Sequence, residues 1–193
     1  MIKILDRIID IFLTDLLPKT KISVSKGNKI FGGFILNKDE LDCLCIGTNN
    51  EIENPIYHGE ISTIVNFFNI KNLNPKNYYF ISSHEPCSLC LSAITWSGFD
   101  NFYYLFPYEE TNSSFNIPHD LKILNQVFSI QNGQYNKSNK YWNSFSILDE
   151  ISKLKNDKEK TEILLKLDKI KEIYSKLSHN YQENKQNNNI PLN

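Results

Sequence analysis

His58-Gly59-Glu60 and, downstream, Pro86-Cys87-Ser88-Leu89-Cys90 are the stretches around which the chain is read. One imidazole and two thiols are three donors for zinc, which leaves the fourth tetrahedral position for water. Zinc lowers the pKa of such a water from 15.7 to about 7. A carboxylate beside the metal can then take the water's proton and pass it on, and Glu60 is the acid tied to the candidate ligand His58. Cys87 and Cys90 are three positions apart, so on one helical turn their sulfurs share a face. Pro86 suits the start of that helix, and a helix N-terminus favours thiolate over thiol. His58 and Glu60, two apart, suit a His that binds the metal and a Glu that faces the water. The gap from Glu60 to Cys87 leaves room for a helix, a loop and a strand, so a second helix can start beside the first.

Together, His58-Gly59-Glu60 and His84-Glu85-Pro86-Cys87-Ser88-Leu89-Cys90-Leu91-Ser92-Ala93-Ile94 resemble the cytidine and deoxycytidylate deaminase superfamily, whose zinc signature is H-x-E…P-C-x-x-C. Glu-Pro-Cys-x-x-Cys followed by a helix of small residues is more similar to the guanine deaminase and tRNA-specific adenosine deaminase branch. Gly47-Thr48-Asn49 matches a Gly-x-Asn that this branch carries before its His. The resemblance covers about residues 29–108. It implies a three-layer α/β/α sandwich with a mixed sheet of about five strands. It implies one zinc per chain on His58, Cys87 and Cys90, with Glu60 as the catalytic acid and base and Asn49 as a substrate-binding residue. The implied reaction is hydrolytic deamination of a nucleobase or nucleoside, with guanine favoured and tRNA adenosine-to-inosine editing as the alternative; related enzymes also make a homodimer the expected assembly. Gly59 departs from the family, which usually has Ala or Val there, at a helix cost on the order of 1 kcal/mol.

A reading of another class is a structural zinc module closed by a fourth protein ligand such as His84 or Cys43. It leaves Glu60 and Gly47-Thr48-Asn49 unexplained. Asn49-Asn50 also reads as turn chemistry. His84 reads equally as a residue behind the ligands, as one facing the substrate, or as a strand end without a role. Cys43 and Cys45, two apart on a strand, share a face by period and read as packed core thiols rather than a second metal pair.

The chain has 193 residues, 40% hydrophobic and 22% charged, which is one domain's worth of core. A net charge of −1 carries no general nucleic-acid or membrane signature. Residues 1–148 hold 12 Lys and Arg against 14 Asp and Glu, which favours a small substrate over a phosphate-rich one. Four cysteines so grouped do not make a disulfide scaffold and fit a reducing, cytoplasmic setting. Asp6, Asp10 and Asp15 break what would have to be an uninterrupted apolar run in a secretory signal, and no stretch is long enough to span a membrane.

In chain order, Ile4, Leu5, Ile8, Ile9, Phe12, Leu13 and Leu16 predict an amphipathic helix over 2–17, ended by Pro18. Residues 29–36 and 42–47 read as a strand hairpin. A helix over 60–70 would bury Ile61, Ile64, Val65 and Phe68. Strands at 78–82 and 101–106, with a helix at 88–97 between them, predict a parallel crossover. Residues 118–128 read as a helix, and 129–146 resist assignment. The deaminase domain is placed at 1–148. A long amphipathic helix follows at 149–183, where Ile163, Leu167, Ile170, Tyr174, Leu177 and Tyr181 keep heptad spacing. That seam either docks on the catalytic domain or joins a second copy. An Asn- and Gln-rich tail, 184–193, reads as disordered.

Overall fold

The computed structural model describes residues 1–193. Its strands are β1 (Gly32–Asn37), β2 (Cys43–Thr48), β3 (Tyr78–His84), β4 (Asn101–Phe106) and β5 (Asn143–Ser146), in the sheet order β2-β1-β3-β4-β5. β1 runs antiparallel to both β2 and β3, while β3, β4 and β5 are parallel. The helices are α1 (Ile2–Ile11), α2 (Leu17–Ser25), α3 (Gly59–Phe68), α4 (Ser88–Trp96), α5 (Tyr108–Ser113), α6 (His119–Phe128), α7 (Ile147–Ser152) and α8 (Asp157–Asn184). Parallel neighbours need a crossover, and α4 supplies the one between β3 and β4. Gly98, at φ 78°, ends that helix in the left-handed conformation that glycine adopts freely.

Strand alternation divides the apolar residues between two faces. Phe34, Leu36, Ile81, Tyr103 and Leu105 pack with α1, α2, α7 and α8 in the larger core. Ile35, Phe80, Phe102 and Tyr104 pack with Phe67 of α3 and Ile94 of α4 in the smaller one. The result is the three-layer α/β/α sandwich that the resemblance implied. Every residue of the α8 heptad seam is buried, and the seam belongs to the larger core. Of its two readings, docking on the chain's own domain is the one found. Ser178 and Gln182 reinforce that docking by donating to the Phe115 carbonyl at 3.1 and 2.8 Å.

Four local expectations are corrected. The first helix does not end at Pro18: Phe12–Leu16 form a π turn, and α2 continues with Pro18 in its first turn. The wider turn accommodates the ring and the missing N–H, which an α-turn would not. Cys43 and Cys45 do not share a face. Leu36 pairs with Cys43 and Ile35 with Cys45, so Leu44 is an extra residue, and such a bulge reverses the alternation. Cys43 consequently packs on the larger core and Cys45 on the smaller. In α3 the buried face is Gly59, Glu60, Thr63 and Phe67, while Val65 and Phe68 are about half exposed. Gly47 allows this rotation, because a Cβ there would strike the Thr63 amide. Finally, the end of the chain lies against the fold: Ile190 is buried, Asn188 donates to the Gly27 carbonyl at 2.8 Å, and the Tyr181 hydroxyl donates to Asn193 at 2.7 Å. Asparagine amides saturate backbone groups here, which composition alone does not reveal.

Candidate active site

Two helix N-termini meet at the site. His58 is the residue before the first turn of α3, with φ −64° and ψ 162°, and Cys87 holds the same position at α4, with φ −63° and ψ 170°. The Gly59 amide of α3 is capped by Asn49, whose Oδ1 accepts from it at 2.7 Å. Glycine is required at 59: a Cβ would stand 2.5 Å from Gly32 Cα and 2.7 Å from Gly32 N. The helix start is pressed onto the lead-in of β1, and this explains the departure from Ala or Val.

His58 Nδ1 lies 3.4 Å from Cys87 Sγ and 3.7 Å from Cys90 Sγ, and the ligand atoms of the three residues lie within 4.8 Å of one another. Tetrahedral zinc with its usual Zn–N and Zn–S bonds puts such donors about 3.6 Å apart, so the set fits the metal. Neither His84 nor Cys43 joins the group; His84 Nδ1 is engaged by the Ser83 hydroxyl at 2.8 Å. Glu60 is buried beside the three donors. Its Oε1 accepts from the Ser82 hydroxyl at 2.9 Å, and its Oε2 is 3.3 Å from Cys90 Sγ.

The ionisable groups are strongly coupled. Burial opposes charging of His58, but its hydrogen bond to Cys87 and the charges of Cys87, Glu60 and Glu51 prevail and hold the imidazole up to about 9. The Cys87 thiol is pulled well below its usual range, first by its hydrogen bond from Cys90 and then, against burial, by His58. Cys90 is pushed the other way by burial and by Cys87. Burial, then the Cys87 charge, raise Glu60. Burial beside a neighbouring charge is the arrangement that fits a carboxyl to hold a proton and pass it on.

A cavity of about 220 Å³ opens onto His58 and Cys87, with Phe31, Asn49, Asp120 and Leu192 also in its wall. Larger surface clefts of about 550 and 750 Å³ reach none of the three donors. Asn49 lines the cavity, and its amide is engaged within the protein, Oδ1 by Gly59 N–H and Nδ2 by Glu51 at 2.8 Å. Two acids were missed by sequence reasoning. Asp120, at the second position of α6, reads in the sequence as an ordinary acid in a helix's first turn. In the fold it lines the cavity, and burial, then the charges of Cys87 and Glu60, push its carboxyl well up. Glu51 gave no signal in the sequence at all, yet is buried against the same wall.

A mixed sheet between helical layers, with one imidazole and two thiols gathered at two helix N-termini, defines a cytidine deaminase-like protein. The family model of the cytidine and deoxycytidylate deaminase zinc-binding region matches residues 11–106, and the chain belongs to the cytidine and deoxycytidylate deaminase superfamily. Among solved structures, a guanine deaminase from Nitrosomonas europaea superposes with a TM-score of 0.55 and 12% identity over 87% of this chain and 81% of that one. A guanine deaminase from Bacillus subtilis superposes with a TM-score of 0.51 and 19% identity over 67% of this chain and 85% of that one. At such identities the likeness is one of fold. No curated protein matches the chain by sequence. No helix is long and apolar enough to cross a membrane.

Proposed function

We propose that the protein is a zinc-dependent hydrolytic deaminase of a nucleobase or nucleoside, with guanine the first substrate to test. The carrying observation is Glu60, a buried carboxylate beside three metal donors and outside the donor set. His58, Cys87 and Cys90 would hold one zinc per chain, which supplies a water activated for attack on an amino-substituted ring carbon. Glu60 would take one proton from the attacking water and pass it to the ring nitrogen, then carry the second proton, from the hydroxyl now on the carbon, to the amino group, which leaves as ammonia. The Ser82 hydroxyl fixes the orientation of the carboxylate.

The cavity supports a small substrate. It is narrower than the usual 300–1,000 Å³ of ligand pockets, and Pro191 and Leu192 form part of its wall. Asp120, in the same wall, offers a carboxyl oxygen as acceptor to N–H groups of a base; guanine presents such donors along its amidine edge. That two structures sharing the fold are guanine deaminases adds to this choice. The measurement is ammonia release from guanine, adenine, cytosine, their nucleosides and a tRNA anticodon stem. Activity on guanine is expected, and activity confined to the RNA would overturn the small-substrate reading. We keep the homodimer as a proposal, with its surface changed: the α8 seam is covered within the chain, so the contact must lie elsewhere. Light scattering of the full chain decides it.

A further inference from the structure

We infer that Glu51 is a positioning residue for His58, acting on the imidazole and on the peptide that follows it. The inference rests on the zinc reading of His58, Cys87 and Cys90. Glu51 follows β2 and is 3% exposed. Its Oε2 accepts from Asn49 Nδ2 at 2.8 Å and from the Lys29 amide at 3.2 Å. Asn49 in turn accepts from the Gly59 amide, so the carboxylate reaches the chain just after His58 through one intermediary. Its Oε1 accepts from Lys29 Nζ at 2.8 Å and stands 3.9 Å from His58 Nε2.

The direction of the ring gives that last distance its meaning. Nδ1 faces both sulfurs. With Nδ1 given to a metal, the imidazole keeps its remaining proton on Nε2, and that N–H needs an acceptor. Metal-binding histidines usually give it to a carboxylate, carbonyl or water, which fixes both tautomer and ring orientation. Glu51 is the carboxylate on that side. A hydrogen bond requires about 2.9 Å, so the gap must close by about 1 Å, which side-chain torsions on the two residues can provide. The Lys29 ammonium balances the carboxylate's charge, so the acid can sit in a buried wall without a lone charge.

The competing account is that Lys29 and Glu51 form a structural ion pair that fastens the approach to β1 onto the loop after β2. The two accounts differ in one respect. Breaking a structural pair from either end has the same consequence, whereas an orienting carboxylate matters by itself. Zinc affinity of the full-length protein, measured by competition with a chromophoric chelator, reads this. Glu51→Gln should bind zinc about 10–100-fold more weakly, and Lys29→Met, which breaks the same ion pair but leaves the acceptor in place, should lose distinctly less. Equal losses in the two variants overturn the inference.

A second measurement needs no variant. In zinc-loaded protein with ¹⁵N-labelled histidine, the His58 Nε2 proton should resist exchange with water. Rapid exchange overturns the inference even if both variants fail to fold. Normal zinc binding with fast exchange or equal losses removes this inference alone. Failure of the wild type to bind zinc removes it together with the reading of the site.

Discussion

The Ser82 hydroxyl donates to Glu60 Oε1 at 2.9 Å while Cys90 Sγ stands 3.3 Å from Glu60 Oε2. One oxygen is thus held by the sheet and the other faces the metal donors. Glu60→Gln keeps the shape and removes the proton carrier. It should retain zinc and fold and lose about 10²–10⁴-fold in kcat, read as ammonia release at equal zinc occupancy. Ser82→Ala tests the same relationship by pH. The Ser82 hydrogen bond is one of the contributions that lower Glu60 against its burial. Without it the carboxyl rises further, so the acid limb of the pH–kcat profile should move to higher pH. An unshifted limb would mean that this limb does not report Glu60.

Gly59→Ala is ordinarily a stabilising change within a helix. Here the added Cβ meets Gly32 backbone atoms at 2.5 and 2.7 Å, and backbone cannot swing aside as a flexible side chain can. Such overpacking costs about 1–3 kcal/mol, and the displacement falls between His58 and Glu60. Urea unfolding should show the loss, with zinc affinity reduced alongside. A variant as stable as wild type, with its zinc affinity unchanged, would contradict the close approach described.

Zinc affinity should fall with acidification. Metal ligands must be deprotonated, and His58, held up to about 9 by its thiolate and carboxylate neighbours, carries a proton through the neutral range until metal displaces it. Below pH 9 the apparent affinity should therefore drop about tenfold per pH unit for each proton displaced, as measured by chelator competition between pH 8 and 6. Cys87→Ala should abolish tight binding throughout. Retention of full zinc by that variant would exclude Cys87 as a ligand.

The sequence revealed the site's donors more readily than the surroundings that position them. His58, Cys87 and Cys90 come in two short motifs, His58 two residues before Glu60 and Cys87 one helical turn before Cys90, so their convergence could be anticipated. β4 was read at its observed bounds because an unbroken aromatic run fits a buried parallel strand. What escaped depends on long-range approach. The bulge at Leu44 reversed Cys43 and Cys45, and no residue type announces it. The face of α3 was misjudged because hydrophobic periodicity follows Ile61, Val65 and Phe68, whereas the tight fit of Thr63 onto Gly47 decides the rotation. Asp120 and Glu51 come from segments far from the motifs in sequence, and only the fold brings them to the cavity wall.

The last prediction concerns His84, which lies outside the donor group. It is 2% exposed, with its ring centroid 3.9 Å from that of Phe31 and within 5.6 Å of those of Phe106, Phe115 and Tyr174. Its Nδ1 is engaged by Ser83, and its Nε2 has no partner. Burial holds its pKa well below 6.5, so the native state refuses a proton that the unfolded chain accepts below pH 6.5. Stability then falls as pH drops through that value, by up to about 1.4 kcal/mol per unit. From pH 6.5 to 5 that amounts to about 2 kcal/mol. His58 has the opposite shift in metal-stripped protein: its contribution is complete below 6.5 and is lost as pH rises through about 9, so it adds little slope in the acid window. His84→Phe places an apolar ring among aromatic neighbours and removes the titration. Urea unfolding of metal-stripped wild type and variant at pH 7 and pH 5 should show the wild type losing about 2 kcal/mol more than His84→Phe over that interval. Parallel losses would mean that His84 accepts its proton in the folded protein, which is incompatible with its enclosed environment.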